Sequence, residues 1–173
     1  MSKIETHPFK PFVPARATVL IVGSFPGRDT TQRRVDTDKW FYNTKRNQFW
    51  DIISTVYGVA LPTRKDKQEL FERTGIAIAD IFLSVKRKGE SNADTDLEVV
   101  TYNDKAIRKI LTHASFKQIF FTSKFVEKHF RKIFPGIKNC ESLPSPSPRY
   151  ATMSKQEKID YYKKKLPPGQ PSS

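Results

Sequence analysis

Three short apolar runs alternate with amphipathic segments along the chain. The runs cover residues 19–22, 76–82 and 119–121, and their length is typical of strands buried on both faces; a short fourth strand is predicted around residues 141–143. Residues 47–57, 65–73, 103–111 and 123–134 carry apolar side chains at helical spacing, with Asn103 and Ser123 as predicted N-caps, and Ser154 with Glu157 matches a capping box before a last helix. This alternation predicts an α/β fold, a three-layer α/β/α sandwich around a central, mainly parallel four-stranded sheet.

The folded domain is predicted to span residues 18–166, which fits one core in a chain of 173 residues. The first 17 residues contain three prolines and little periodicity, so we expect residues 1–17 to form an extended arm. Residues 167–173 are short of apolar side chains and predict a disordered tail.

Several classes of protein are excluded by what the chain lacks. No apolar run approaches the ~20 residues that a membrane-spanning helix needs, and the N-terminal residues do not resemble a secretory signal. Cys140 is the only cysteine, and His7, His113 and His129 are too widely spaced to predict a metal site. We therefore expect an intracellular protein without membrane contact, metal or other cofactor, and we expect a monomer because no long exposed apolar stripe is present.

The charge of the chain favours a polyanionic partner. There are 31 Lys and Arg residues against 18 Asp and Glu residues, so the net charge is +13. Many of the cations fall in predicted loops beside Gly, Ser, Pro or Asn, where binding residues tend to lie. The candidates for contact with phosphate are Arg28, Arg33, Arg34, Arg46, Lys86, Arg87, Lys88 and Arg149. The alternative is a basic surface that serves only solubility.

The loops that follow the four predicted strands are the candidate site. They cover residues 23–28, 84–96, 122–123 and 144–148. Ligands of parallel sheets bind beyond the carboxyl ends of the strands, so we expect these loops to converge at one edge.

The sequences in and near these loops resemble a known family. The strings LIVGSFPG, FYNTKRNQFW, GIAIADIF and LPSPSPRY, followed by MSKQEKIDYY, occur in the same order as in the uracil-DNA glycosylase superfamily, over residues 18–166. The resemblance is closest to its mismatch-specific and hypoxanthine-DNA glycosylase branches. It implies a monofunctional DNA glycosylase of base excision repair, which flips a deaminated base, hypoxanthine or uracil, out of DNA and hydrolyses its N-glycosidic bond without a metal.

The resemblance assigns roles to residues of the first two strings. Gly23, Ser24 and Phe25 occupy the first motif and would bind the base, partly through backbone amides; Phe25 stands where many branches carry an Asn or Asp that orients the attacking water. Tyr42 matches the aromatic that stacks on the flipped base, and Asn47 matches the Asn on which the hypoxanthine branch relies. The alternatives are core packing for Tyr42 and capping of the next helix for Asn47.

The later strings supply the remaining candidates. Asp80 ends a buried strand and could polarise water in place of Phe25, or could cap the following turn. Ser145 and Ser147 suit contact with phosphate, or form only a rigid turn, and Arg149 stands where the family inserts a side chain into the duplex. Because Phe25 and Ser145 both depart from the catalytic residues of uracil enzymes, a DNA-binding protein that has lost catalysis is the second hypothesis.

Overall fold

The computed structural model describes residues 2–32 and 38–169, which form seven strands, six α-helices and one short 3-10 helix (Asp94–Asp96). The strands are β1 (Ile4–Thr6), β2 (Val19–Gly23), β3 (Ile76–Asp80), β4 (Phe82–Arg87), β5 (Leu97–Tyr102), β6 (Gln118–Phe121) and β7 (Cys140–Ser142). The helices are α1 (Arg28–Thr31), α2 (Phe49–Tyr57), α3 (Arg64–Thr74), α4 (Asp104–His113), α5 (Lys124–Ile133) and α6 (Lys155–Lys165).

The central sheet confirms the predicted fold class. Its four strands lie in the order β3-β2-β6-β7, and every neighbouring pair is parallel. All of the residues of β2 and β3 are buried, as continuous apolar strands predict. Gly23 lies opposite Asp80 and Val22 lies opposite Phe121, so these strands end at one level.

Helices cover both faces of this sheet because alternate residues of each strand point to opposite sides. Ile21, Ile78 and Phe120 pack in a cluster with buried side chains of α2, α3 and α6. Leu20, Ala77, Val22, Ala79, Ile119 and Phe121 pack on the other side with α4, α5 and strands β4 and β5. The three predicted layers are therefore present.

Local signals set most helix boundaries. Gly58 and Gly75 end α2 and α3 at positive φ values of 63° and 69°, which a glycine adopts without strain. Ser123 accepts a hydrogen bond from the amide of Val126, and Ser154 forms the predicted capping box with Glu157. The side chain of Asn103 does not cap α4, however, because its Nδ2 donates to the backbone oxygen of Asp80 at 3.0 Å instead.

One predicted strand and the loop after it need correction. The apolar run at 76–82 is divided at Ile81 into β3 and β4, and residues 84–87, which we expected in a polar loop, belong to β4. Strand β4 lies between β1 and β5 in a separate antiparallel sheet. Ser84 and Arg87 are buried in β4 while Leu83 is exposed, so the polarity of these residues did not indicate a strand.

Residues 2–14 are extended, residues 15–16 form a turn, and the segment packs against the domain. Strand β1 pairs with β4, and Phe12 forms backbone hydrogen bonds in both directions with Ile78. Glu5 is buried in an ion pair with Arg87, and Phe9 is 7% exposed in the core. Of the predicted tail, residues 170–173 lie outside the described residues.

The helices and the acidic, His and Cys side chains bear on whether the chain could span a membrane or bind a metal ion. Within the described residues, no helix has the length and apolar character needed to cross a bilayer. In the same part of the chain, no group of three or more His, Cys, Asp or Glu side chains is arranged to hold a metal ion.

We expect Glu127 to make folding stability depend on acid pH. Burial alone would raise its pKa, but hydrogen bonds from Ser142, Lys124 and Arg131 lower the pKa to about 2, from an ordinary value of 4.5. Because the folded state holds the proton less tightly than the unfolded state, this stability is present above pH 4.5 and is lost as the pH falls towards 2.

Urea unfolding at several pH values should therefore show a weaker loss of stability between pH 4.5 and 2 in Glu127→Gln than in the wild type. Glu69→Gln is the control, since it removes a carboxylate of an exposed pair with Lys65. An unchanged pH dependence in Glu127→Gln would contradict the assignment.

Candidate functional site

The ends of the parallel strands bring the predicted site residues to one edge. Gly23 ends β2 and Asp80 ends β3, while Thr122 directly follows β6. Leu143 extends the β6–β7 pairing by donating its amide to the oxygen of Phe121 at 2.7 Å, so the segment of residues 144–148 starts at the same edge. The convergence predicted from sequence is therefore present.

Asp80 forms a buried pair with a histidine from the N-terminal segment. His7 Nε2 lies 2.7 Å from Asp80 Oδ2, and the side chains are 1% and 5% exposed. The amide of Phe9 donates to His7 Nδ1 at 3.1 Å, so Nδ1 carries no proton and Nε2 is the ring nitrogen that donates to Asp80. This hydrogen bond orients the carboxylate.

The second oxygen of Asp80 is free. Oδ1 is buried and has no hydrogen-bond partner among the described residues. Asn103 holds the backbone oxygen of the same residue, and His7 holds Oδ2, so the direction of Oδ1 is set from two sides. A buried acceptor without a donor is costly, so a bound group that donates a hydrogen bond would be stabilised here.

Tyr42 lies over the end of β2. Its backbone has a positive φ of 57°, which is uncommon for a bulky residue, and its ring stacks on Phe49 with centroids 4.2 Å apart. Its hydroxyl donates to Thr122 Oγ1 at 3.4 Å. Burial and the nearby charge of Asp80 raise the pKa of Tyr42 well above its ordinary value. No other described aromatic ring contacts Tyr42, so one face of its ring has no aromatic partner in the ranges described.

Gly23 is required for this arrangement. A Cβ atom built on Gly23 would lie 2.5 Å from Asp80 Oδ1 and closer still to the hydroxyl of Tyr42. The site therefore has a floor of backbone, with a carboxylate oxygen and a phenol hydroxyl directly above it. Close approach of this kind is a reason for glycine at a strand end.

The β4–β5 loop contributes a second carboxylate, which contacts the turn after Gly23. Ser24 Oγ donates to Asp94 Oδ1 at 2.6 Å. Burial raises the pKa of Asp94, and the charge of Asp80 raises it further. Within the described residues, the backbone amides of Ser24 and Phe25 form no hydrogen bond to a protein acceptor, so they are available to a ligand.

The ring of Phe25 contributes packing. It meets the His7 ring edge-on with centroids 5.5 Å apart, and the Arg87 guanidinium lies 5.7 Å from its centre. The aromatic ring at this motif position thus supports the residue that orients Asp80.

Asn47 uses its side-chain oxygen at the start of α2. Oδ1 accepts a hydrogen bond from the amide of Phe49 at 2.9 Å, so Asn47 satisfies an amide of the first turn from the position before Gln48, which is the N-cap of α2. A carboxamide oxygen has a second lone pair, and Nδ2 has no protein partner within the described residues. Asn47 can therefore bind a water molecule while it accepts the hydrogen bond from Phe49.

Three loops touch at the rim of the site. The amide of Arg28 donates to Asn92 Oδ1 at 3.0 Å, and the guanidinium of Arg28 donates to the oxygen of Gly89. Arg149 Nη1 donates to Ser91 Oγ at 3.1 Å. The turn after β2, the β4–β5 loop and the segment after β7 are thereby connected around the strand ends.

The basic candidates are placed differently from one another. Arg46, Lys88 and Arg149 are exposed and Lys86 is half-buried on β4. Arg87 needs correction as a contact to phosphate, because it is 6% exposed, is paired with Glu5 and donates to the oxygen of Pro26. Arg33 and Arg34 lie outside the described residues.

The segment of residues 144–148 presents hydroxyl groups. Ser145 Oγ accepts from the amide of Ser147 at 3.2 Å, and Ser147 Oγ accepts from the amide of Arg149 at 3.3 Å. A hydroxyl that accepts one hydrogen bond can still donate its own proton. Both serines therefore remain possible donors to an anion.

Sequence reasoning missed His7 and Asp94. His7 lies in a segment expected to be an arm, 73 positions from its partner Asp80, so no local spacing indicates the pair. Asp94 lies in a polar stretch with no periodicity, where its burial was not predictable. Both become recognisable only when the loops are brought together.

The chain is similar to known proteins in its sequence pattern and in its fold. The family model described as the uracil DNA glycosylase superfamily matches residues 10–167. No curated protein sequence matches the chain. A solution NMR structure described as a putative uracil DNA glycosylase, from Methanosarcina acetivorans, is similar with a TM-score of 0.64 and 17% identity, over 92% of this chain and 94% of that chain. At this identity the structural match shows a shared fold.

We expect Gly23→Ala to destabilise the protein, because the new methyl group would overlap the Tyr42 hydroxyl and Asp80 Oδ1. Such overpacking typically costs about 1–3 kcal/mol, measurable by urea unfolding. Gly136→Ala is a matched control, since a Cβ there has nothing within 4 Å. Equal stabilities for the two variants would contradict the close approach.

Proposed function

Because the chain belongs to the uracil DNA glycosylase superfamily, we propose that it removes a deaminated base, hypoxanthine or uracil, from DNA. The reaction is hydrolysis of the N-glycosidic bond of a nucleotide flipped out of the duplex, with no second catalytic activity. The protein acts as a monomer on DNA inside the cell. The observation that carries the proposal is the buried, unpartnered Oδ1 of Asp80 above the end of β2.

Asp80 suits the charge that this reaction develops. Breaking the bond between the sugar and the base places positive charge on the sugar and negative charge on the base. A carboxylate oxygen with no internal donor can accept a proton from water or stabilise the positive sugar, and its effect is strong where bulk water is excluded. The hydrogen bond from His7 leaves this oxygen free while fixing its direction. Asp80 therefore supplies what the phenyl ring of Phe25 does not.

The groups around Asp80 suit the base. The ring face of Tyr42 opposite Phe49 can stack on a flipped base, a contact worth about 1–3 kcal/mol. The free amides of Ser24 and Phe25 can donate to a base carbonyl, which hypoxanthine and uracil both carry. Asn47 would hold the attacking water through Nδ2 or the second lone pair of Oδ1.

Positive charge around the rim suits the DNA backbone. Arg46, Lys88 and Arg149 are exposed, Lys86 is partly exposed, and Arg28 is half-buried at the contact with Gly89. Ser145 and Ser147 have hydroxyl protons free to donate to phosphate oxygens. The net charge of +13 favours association with DNA in a salt-dependent way.

A DNA-binding protein without catalysis is the alternative. Phe25 favours it, because its ring is engaged with His7 and Arg87 and offers no group that could hold water. Both proposals expect DNA binding, so only release of a base separates them.

We expect excess protein to release one base from labelled duplexes that carry uracil, hypoxanthine, xanthine or an undamaged base, as read by strand cleavage after alkali. Asp80→Asn should reduce single-turnover release by about 100-fold or more, because the variant keeps the shape of the side chain but has no negative charge. Asp160→Asn, on the exposed side of α6, is the control. No release at any lesion, with salt-sensitive binding intact, would favour the alternative.

We expect two substitutions of Asn47 to separate capping from catalysis. Asn47→Ser keeps an acceptor for the amide of Phe49, whereas Asn47→Ala removes it and should cost about 1 kcal/mol of stability. If the carboxamide holds water, both variants lose most base release while binding of DNA survives. Full activity of Asn47→Ser would restrict Asn47 to its capping role.

A further inference from the structure

Lys158 on α6 is a buried cation without an acidic partner. The residue is 1% exposed. Its Nζ donates to Gln48 Oε1 at 3.1 Å and to the backbone oxygen of Ser147 at 3.0 Å, and it lies 5.5 Å from the centre of the Tyr150 ring. None of these three groups carries a negative charge. No Asp or Glu in residues 2–32 and 38–169 forms an ion pair with it. Buried lysines are rare unless they are paired, so this one requires an explanation.

We propose that Lys158 is the buried positive charge of a site that binds a phosphodiester of nucleic acid on the outer side of residues 144–148. The inference rests on the proposed binding of DNA, but not on removal of a base.

The backbone of residues 144–148 turns its acceptors inward. The hydroxyl of Tyr162 donates to the oxygen of Pro144 at 2.8 Å, and the amide of Gln48 donates to the oxygen of Pro146 at 2.9 Å. Lys158 takes the oxygen of Ser147. Three carbonyl oxygens that would repel an anion are thus tied to the interior of the protein.

The same segment leaves donors for its outer side. The hydroxyls of Ser145 and Ser147 each accept a backbone amide, and neither donates its proton to an acceptor among the described residues. Arg149 follows directly and is exposed. A surface with hydroxyl and guanidinium donors and with its carbonyls withdrawn suits a phosphate group, which has several acceptor oxygens and a negative charge.

The ammonium group of Lys158 has no negative counter-charge among the described residues. Taking an ammonium out of water costs several kcal/mol unless an opposite charge compensates, and two neutral acceptors with the ring of Tyr150 compensate only in part. Burial accordingly lowers the pKa of Lys158. A phosphate bound on the outer side of residues 144–148 would supply negative charge near Lys158. Charges separated by a few ångströms of protein interact more strongly than they do in water.

Lys67 on α3 is a matched comparison. It is also buried, at 7% exposed, and it lies over the ring of Trp50 as Lys158 lies over that of Tyr150. Burial lowers its pKa, but the charges of Asp38 and Asp66 oppose that shift, whereas no carboxylate does so for Lys158. Lys67 thus has negative charge near it within the protein, at a place distant in sequence from residues 144–148. Removing either lysine lowers the net charge equally.

The test measures binding of the full-length protein to an undamaged duplex at several salt concentrations. Lys158→Gln keeps a donor for the oxygen of Ser147 but removes the charge, and Lys158→Arg keeps the charge. We expect Lys158→Gln to bind about 10-fold more weakly at low salt, with a slope of log affinity against log salt that is reduced by about 0.9, the value for one phosphate contact. Lys67→Gln should keep the wild-type slope, and Lys158→Arg should stay close to it.

Three results would overturn the inference. They are a wild-type slope in Lys158→Gln, an equal loss of slope in Lys67→Gln, and equal losses in a folded Lys158→Arg and Lys158→Gln. Thermal unfolding shows whether each variant is folded, and if Lys158→Arg is not, the comparison of the two glutamine variants decides. Since an undamaged duplex requires no base release, absence of excision in the earlier assay leaves this result independent.

Discussion

The hydrogen bond from His7 Nε2 to Asp80 Oδ2 joins the N-terminal segment to the carboxyl edge of the central sheet. It is possible only because β1 pairs with β4 and brings His7 alongside the end of β3. The bond fixes Asp80, and the position of Asp80 then requires glycine at position 23 and defines the space that Tyr42 covers. Phe25 packs against the same histidine. The geometry of the candidate site thus depends on a segment that precedes the sheet in the chain.

The buried charged side chains differ in whether the protein itself supplies their partners. Arg87 is neutralised by Glu5 and supports β1 against β4, so its charge is used inside the fold. One carboxylate oxygen of Asp80 has no hydrogen-bond donor within the described residues. Lys158 forms hydrogen bonds to neutral acceptors but no ion pair with a carboxylate in the same part of the chain. Both incomplete groups lie by the loops at the carboxyl edge. Unbalanced polar groups are costly to folding, and such costs are concentrated where a ligand supplies the missing partner.

The family membership and these groups lead to a consistent view of the edge. The proposed activity requires contacts to the DNA backbone and to one base, and the structure has two separate groups of polar side chains at this edge. The serines at 145 and 147 and the cations lie on the rim, whereas Asp80, Tyr42 and the free amides lie over β2. Phe25 stands at the position of the first motif where many branches of the family carry Asn or Asp. Asp80 places a carboxylate at the same edge of the sheet.

The sequence by itself determined the central sheet, most helices and the convergence of the candidate loops at one edge of that sheet. Continuous apolar runs and helical periodicity are local signals, since each reports burial of neighbouring residues in one element. Capping residues such as Ser123 and Ser154 likewise act within one turn. Only the tertiary structure decided the second sheet, the pairing of His7 with Asp80, the burial of Arg87 and the isolation of Lys158. Each of these joins residues distant along the chain, and whether a charged side chain faces water or a partner depends on packing that no local pattern encodes.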